Sequence, residues 1–448
     1  MGEPYMDMLS VMDGKDSRNL RGDPMSGDRY FSPQFAQAEW DHMWKKVWHV
    51  AGRDNEVPEA GDYLVHNFMH ESVIISRQDD GSLRGFYNSC RHRGQRLAWH
   101  NASQDAFTCP YHGWVWGKDG VLRDLPDPDD FPEGNPCGKL SLREVRVRSW
   151  AGFIWYAMSD AASSFEDFMG PVLHLYDNYP LESAVRVFQM KIDLKTNWKF
   201  ATENFSESYH TRTAHPQVPS FCDQDHWNAR LEMFREGHGR TIQPFRPSLR
   251  DNADDGQPHP FDDVLRRWGL DPQAYPNFET KVVQGWRDLA AAKRALGPKE
   301  GRAWYADLSD SELTESIHST IFPNVTITFG PDEVFFQRTE PHPDNPNKCT
   351  FDLWCMVFPV EGVTMTETPM VGTERLPIVE AEPLRKSFDR GRGVPELHGG
   401  VVIQDLVLAE GQQMGLRSQG YTDAYLAGQE TRVRFFNEVL NDYIAGRR

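Results

Sequence analysis

Six cysteines in 448 residues are too few for a disulfide framework, and no apolar run is long enough to cross a bilayer. The opening Met1-Gly2-Glu3-Pro4-Tyr5-Met6-Asp7 lacks the basic and apolar regions of a secretory signal, so a reducing, cytoplasmic setting is expected. Positive charge is scarce: 48 Lys and Arg stand against 66 Asp and Glu, a formal net charge of -18, the reverse of a nucleic-acid binder's footprint. Solubility accounts for the acidic surplus, although an acidic surface also suits docking of a more basic protein. No G-x-G-x-x-G occurs, since Gly237-His238-Gly239 has no third glycine at the right offset. A dinucleotide fold for NAD(P)H or flavin is therefore not expected. Repeats and low-complexity tracts are also missing. What remains is 39% apolar and 12% aromatic, enough for real cores in two domains and too much for pervasive disorder.

Residues 1 to 32 are polar, rich in Gly and Asp, and expected to form an extended arm. Ser32-Pro33 reads as a helix start, and Trp40, Met43, Trp44 and Val47 follow at helical spacing, leading into a first domain over 33–160. Short apolar runs at Tyr63-Leu64-Val65, Val73-Ile74-Ile75, Val145-x-Val147 and Phe153-Ile154-Trp155-Tyr156, parted by turns such as Asp119-Gly120, predict a small antiparallel β domain. A second domain is expected over 161–448. Its strand signals are Val185-x-Val187, Ile192-x-Leu194, Val325 to Phe329, Val334 to Phe336 and Phe351 to Phe358; a helix is predicted from Trp198 to Arg212. Two closing helices are predicted, near Val402–Leu416 and on the stripe Val433, Phe436, Leu440 and Tyr443 before Gly446. The acidic, turn-rich 220–310 reads as a variable insertion or lid.

Two short segments carry metal-ligand chemistry. Cys90-x-His92 and Cys109-x-x-His112, each followed by glycine, bring two thiolates and two imidazoles onto two loop tips. Zinc accepts such a set but usually separates its Cys pair from its His pair. Mixed pairs suit a [2Fe–2S] cluster with Cys90 and Cys109 on one iron and His92 and His112 on the other. Neutral imidazoles in place of thiolates raise its reduction potential. Farther on, Glu203-Asn204-Phe205-Ser206-Glu207-Ser208-Tyr209-His210 precedes His215. Glu207 and His210 share a helical face, and Pro216 marks a stop that lets His215 converge off the helical repeat. Two histidines and one carboxylate make the facial triad of non-haem Fe(II) sites, with open positions for O₂ and substrate.

The Cys-x-His and Cys-x-x-His pattern resembles the Rieske motif. Glu203-Asn204-x-x-Glu207-x-Tyr209-His210 with His215 resembles the catalytic motif of Rieske non-haem iron ring-hydroxylating oxygenase α subunits. The resemblance runs from about Phe35 to Ile444 and is thinnest over 220–310. It implies an α+β chain: a small antiparallel β Rieske domain plus a helix-grip catalytic domain, an antiparallel sheet wrapped on helices. It makes His210, His215 and Asp405 the iron ligands, Asp405 standing in Val402-Ile403-Gln404-Asp405 ahead of Glu410, Gln413 and Gly415. It gives Glu207 a bridging role from His210 to a Rieske histidine, His112, of a neighbouring subunit, where many members carry Asp. Asn204 and Tyr209 become pocket or supporting residues. The resemblance also implies O₂ as co-substrate, NAD(P)H used only through a partner flavin reductase with or without a ferredoxin, and a head-to-tail homotrimer. It leaves open an accompanying β subunit.

The expected function is hydroxylation, single or double, or oxidative demethylation of a small molecule. The apolar flanks Phe205, Val218, Phe221, Val325, Ile327, Phe329 and Phe336 point to a largely apolar, aromatic or polycyclic substrate. The rival readings are a zinc-stabilised ligand carrier without chemistry and a Rieske protein confined to electron transfer.

Overall fold

The computed structural model describes residues 11–252, 259–368, 375–397 and 400–448. The chain divides into two compact units, Trp40–Phe168 and the combination of Met1–Glu39 with Met169–Arg448.

In the first unit a seven-stranded sheet has the order Trp48–Arg53, Phe153–Ala157, Glu144–Trp150, Leu83–Tyr87, Glu71–Arg77, Asp62–Phe68 and Ala102–Ser103. Every pairing in it is antiparallel. Its runs are β-branched and aromatic, as a half-buried pleat requires; Val73, Ile74 and Ile75 are fully buried. A second sheet joins Ala106–Thr108, Val115–Gly117 and Leu122–Asp124 around the predicted Asp119-Gly120 turn. Gly120 has φ 79°, and a Cβ there would collide with the Phe86 ring, so only glycine fits. Phe86, Phe107, Trp116 and Leu122 form a core that also takes in Cys90 and Cys109.

The second unit is built on a nine-stranded sheet. Its order is Val11–Asp13, Arg230–Phe234, Gly239–Pro244, Glu315–Ile321, Val325–Phe329, Glu333–Pro341, Cys349–Val357, Val185–Leu194 and Leu384–Ser387. The predicted meander over 325–358 is present and antiparallel. Four expectations change. The edge pair Val185–Leu194 and Leu384–Ser387 is parallel. Two strands of the main sheet, Arg230–Phe234 and Gly239–Pro244, come from within the supposed insertion. The arm is not merely extended, because Val11–Asp13 pairs with the sheet and Asp28–Phe31 is helical. The helix Pro33–Glu39, expected with the first domain, belongs to this second unit; from Trp40 to Trp44 the chain continues as one π turn.

Strand period two sorts this sheet into two faces. Val325, Ile327, Phe329 and Phe336 share one, where Phe329 stacks on Tyr176 at 4.0 Å and Phe336 meets Trp354 at 4.5 Å. Thr326, Thr328, Gln337, Thr339 and His318 share the other. There Phe205 lies 5.2 Å from the His318 ring and Thr339 Oγ1 donates to the Trp198 carbonyl at 2.7 Å. The four aliphatic and aromatic residues expected beside the active site therefore turn away from the segment that carries its histidines.

That segment is anchored from within. The predicted helix from Trp198 to Arg212 stops at Asn204, giving the two short helices Lys199–Asn204 and Thr211–Ala214. Asn197 Oδ1 accepts from Lys199 N at 3.1 Å and its Nδ2 donates to the carbonyls of Tyr30 and Pro346. Gln413, on the helix Val401–Leu416, accepts from Asn197 N at 2.9 Å. Lys199 Nζ is fully buried and lies 2.5 Å from Glu39 Oε1, while Trp198 Nε1 donates to Glu39 Oε2 at 3.0 Å. Burial pulls the Lys199 ammonium below its ordinary pKa, and the Glu39 charge opposes that shift. Glu39→Ala is expected to destabilise the protein by about 3–5 kcal/mol in urea unfolding, whereas Glu39→Met with Lys199→Met recovers most of the loss.

His318 generates a pH prediction. Burial pushes its imidazole down to about 3, so the folded state resists a proton that the unfolded chain accepts below the usual 6.5. Unfolding free energy should fall as pH drops from about 6.5 toward 3, and His318→Gln should flatten that dependence.

Candidate metal centres

The two loops of the first unit are built alike. Gly94 N donates to Cys90 O at 2.9 Å and Cys90 N to Gln95 O at 2.8 Å. Gly113 N donates to Cys109 O at 3.0 Å and Cys109 N to Trp114 O at 2.7 Å. Each loop closes through a left-handed glycine, φ 76° at Gly94 and 71° at Gly113. Both cysteines are buried, while His92 is exposed and His112 half-buried. The imidazoles of His92 and His112 lie 4.5 Å apart, and His92 stacks flat on Trp114 at 4.7 Å. Burial raises the Cys90 thiol pKa, and the adjoining Cys109 adds to the shift. His112 Nδ1 is buried without a hydrogen-bond partner. A nitrogen in that state is costly unless its lone pair is taken up by a metal. Two buried sulfurs, two imidazoles at the tips and one unpaired Nδ1 are the donor set that a histidine-ligated [2Fe–2S] cluster requires.

The second unit brings His210, His215 and Asp405 together, with one ligand atom from each within 4.8 Å of the others. One helical turn separates the histidines: Ala214 N donates to His210 O and His215 N to Thr211 O. His215 then leaves the helix at φ -127°, ψ 67°, ahead of Pro216, which is how a five-residue spacing converges. Nε2 of His215 is 3.1 Å from Asp405 Oδ1 and Nε2 of His210 is 3.6 Å from it. Both Nδ1 atoms are tied elsewhere. His210 Nδ1 donates to Glu207 Oε1 at 2.6 Å, and His215 Nδ1 donates to Gln404 Oε1 at 2.7 Å. Each bond fixes a tautomer and leaves the Nε2 lone pair for a metal. Glu207 Oε2 also accepts from the backbone N–H groups of Tyr209 and His210. Burial opposes protonation of His215, but Asp405 and Gln404 outweigh it and hold the imidazole above its ordinary pKa.

Glu207 and His210 thus meet as expected, though in the turn between two helices and not along one. Asn204 and Asp405 line the same small cavity. The Tyr209 side chain is 57% exposed. Gln404 stood in the segment quoted for the resemblance without a role. Its signal was its place next to Asp405, where consecutive helix positions reach a ligand and the ligand's neighbour.

Residues 181–446 match the family described as ring hydroxylating alpha subunit (catalytic domain), and residues 47–145 match the Rieske [2Fe-2S] domain. The chain belongs to the Rieske ring-hydroxylating α-subunit family. It is 34% identical over 186 residues to the large oxygenase component of a naphthalene 1,2-dioxygenase system from Pseudomonas aeruginosa, covering 40% of this chain and 41% of the relative. It is 27% identical over 310 residues to an N,N-dimethyl phenylurea N-demethylase subunit alpha from Sphingobium sp. (strain YBL2), covering 66% and 63%. The matched stretches thus span less than two thirds of these relatives. A quaternary ammonium Rieske monooxygenase shares the fold, with a TM-score of 0.66 at 18% identity over 96% of this chain and 98% of that one. Membership implies a Rieske cluster and a mononuclear iron, and the two donor sets described above fit them. Against that match the zinc-stabilised carrier reading falls, and the catalytic domain removes the reading of electron transfer alone. Among the described residues no helix of this chain is long and apolar enough to cross a membrane.

Gln404→Leu and Glu207→Leu should each weaken Fe(II) binding at the second centre by about 10–100-fold in metal titrations, with the visible absorption of the first centre unchanged.

Proposed function

We propose that this chain is the terminal oxygenase component of a multicomponent system. It uses O₂ and electrons from a separate flavin reductase, directly or through a ferredoxin, to hydroxylate or oxidatively demethylate a small organic molecule. The observation that supports this best is the pair of histidines whose Nε2 atoms converge on Asp405 Oδ1 while both Nδ1 atoms are hydrogen-bonded away. In this reading Cys90, His92, Cys109 and His112 hold the cluster, and His210, His215 and Asp405 hold the iron. When bound, the cluster supplies single electrons and the iron supplies the site of O₂ activation.

The chain's own residues perform the rest. Glu207 keeps a proton on His210 Nδ1, Gln404 keeps one on His215 Nδ1, and Gln217 Nε2 donates to Gln404 Oε1 at 2.9 Å, fixing the amide in turn. His318 is held neutral by burial and donates or accepts at Nδ1 with the Thr328 hydroxyl at 2.5 Å. The substrate is read as having an aromatic or other apolar body, on the strength of Phe205 and of relatives named for naphthalene and a dimethyl phenylurea. In a head-to-tail homotrimer Glu207 would also accept from His112 of a neighbouring copy. Each of its carboxylate oxygens has lone pairs enough for that bond.

The test supplies the purified, iron-loaded chain with a surrogate reductase, NADH and ¹⁸O₂ over a panel of aromatic and N-methylated compounds. Product carrying ¹⁸O, or the demethylated product with formaldehyde, is expected. His210→Ala should abolish turnover while keeping the cluster's absorption, and Cys90→Ala should lose the cluster and its labile sulfide. Oxygenation at the wild-type rate by His210→Ala would falsify the assignment.

A further inference from the structure

Within the second unit the helix Lys199–Asn204, the strands Glu333–Pro341 and Cys349–Val357 and the helix Val401–Leu416 contribute to the walls of a small cavity of about 20 Å³. Leu194, Phe200, Ala201, Phe351, Val402 and Leu406 supply its carbon walls, and Asp405 and Asn204 also border it. Two of the polar residues of the wall spend their hydrogen-bonding groups elsewhere. Thr339 Oγ1 donates to the Trp198 carbonyl, and the Asn197 side chain binds Lys199 N, Tyr30 O and Pro346 O. Thr196, Asn204 and Asp405 border it as well, yet the surface that the wall presents to the space is carbon. A buried water needs two to four polar partners, so a site of this kind stays dry although it exceeds the roughly 10–15 Å³ that admits one water-sized probe. It is also far below the roughly 150 Å³ of an apolar cavity that takes benzene, which excludes an aromatic substrate. A small apolar molecule that forms no hydrogen bonds fits both limits.

We propose that this cavity is a staging site for O₂ beside the Asp405 carboxylate, an inference that rests on the oxygenase reading. O₂ partitions from water into apolar surroundings, and a dry volume bordered by Asp405 would hold it next to the ion that Asp405 serves. Binding there is reversible and involves no bond making.

Xenon is the probe, because it too fills dry apolar cavities. Crystals of the iron-loaded protein under xenon pressure should show one site between Phe200, Phe351 and Leu406, and xenon should raise the apparent KM for O₂ of the wild-type enzyme in steady-state oxygen uptake. Ala201→Val and Val402→Ile, which each add carbon to the space, should remove the xenon peak and raise KM for O₂ threefold or more. KM for the organic substrate should move less than twofold. Oxygen uptake with no xenon in the cavity, or with xenon bound and KM for O₂ unchanged, would overturn the staging site alone. A protein that consumes no oxygen with any reductase and substrate would overturn the oxygenase reading, and with it the assignment of O₂.

Discussion

The Lys199 ammonium lies in the protein interior with no exposed surface, 2.5 Å from a carboxylate that is itself 3% exposed, and the short helix it begins leads to the paired histidines. An ion pair at such depth adds little net stability, because removing both charges from water costs about as much as their attraction returns. Its effect is on register. With Glu39 fixed by the Trp198 indole and Lys199 fixed by Glu39, the helix Lys199–Asn204 cannot rotate or slide without unpairing a buried charge. Tyr30 and Asn437 extend the same logic one turn on, each donating to the Glu203 carboxylate, whose pKa burial has raised. The chain thus enters the turn at Phe205 at a fixed angle, and Glu207 and His210 inherit it.

Past that turn the constraint changes from charge to tautomer. An imidazole that is free to flip offers a metal either nitrogen or none. Glu207 and Gln404 remove that freedom at Nδ1, and because Gln404 and Asp405 are consecutive on one helix, a single placement of that helix supplies both a ligand and the orientation of another ligand. Gln413, farther along the same helix, binds Asn197 N and the Tyr30 carbonyl. The helix bearing Asp405 and the segment bearing the histidines are consequently tied at two points, one at the metal-facing end and one at the root.

Chemistry that is local in sequence was legible there. Cys90-x-His92 and Cys109-x-x-His112 each bring their donors within one loop, so spacing alone marks them as metal ligands; the strands from Val325 to Val357 stand out as apolar runs parted by Gly, Pro and Asn clusters. Harder to read were features decided by distant partners. Asn204, Ser206, Ser208, Tyr209, His210 and Thr211 are weak helix formers, a signal that the Glu207–His210 spacing overrode, and the break after Asn204 belongs with the Glu207 carboxylate capturing the N–H groups of Tyr209 and His210, a local alternative to the helix ladder. The strand Arg230–Phe234 was hidden because its apolar run is short and charged at both flanks. Its pairing with Val11–Asp13 spans about half of the chain. Alternation in Val325 to Phe329 likewise predicts two faces without saying which one the histidine segment covers, and the apolar face was the natural but mistaken choice.

That reversal bears on how a site of this kind divides its space. In the proposed reading, hydroxyls and a neutral imidazole on the sheet face beside Phe205 would give an organic molecule groups to hydrogen-bond, and would also give water a reason to stay when no substrate is present. A gas that competes with water for such a surface gains nothing, since it offers no bond in return. The apolar volume behind Asn204 and Asp405 presents the opposite surface, from which water is excluded by the lack of partners. With O₂ staged in the cavity as proposed, an organic molecule held on the polar face would not have to displace it. Thr339 and Asn197, which border that volume, send their polar atoms into the backbone of Trp198, Lys199, Tyr30 and Pro346. Hydrogen bonds that set the register of the histidine segment thus also keep two polar side chains beside the pocket from offering partners to water.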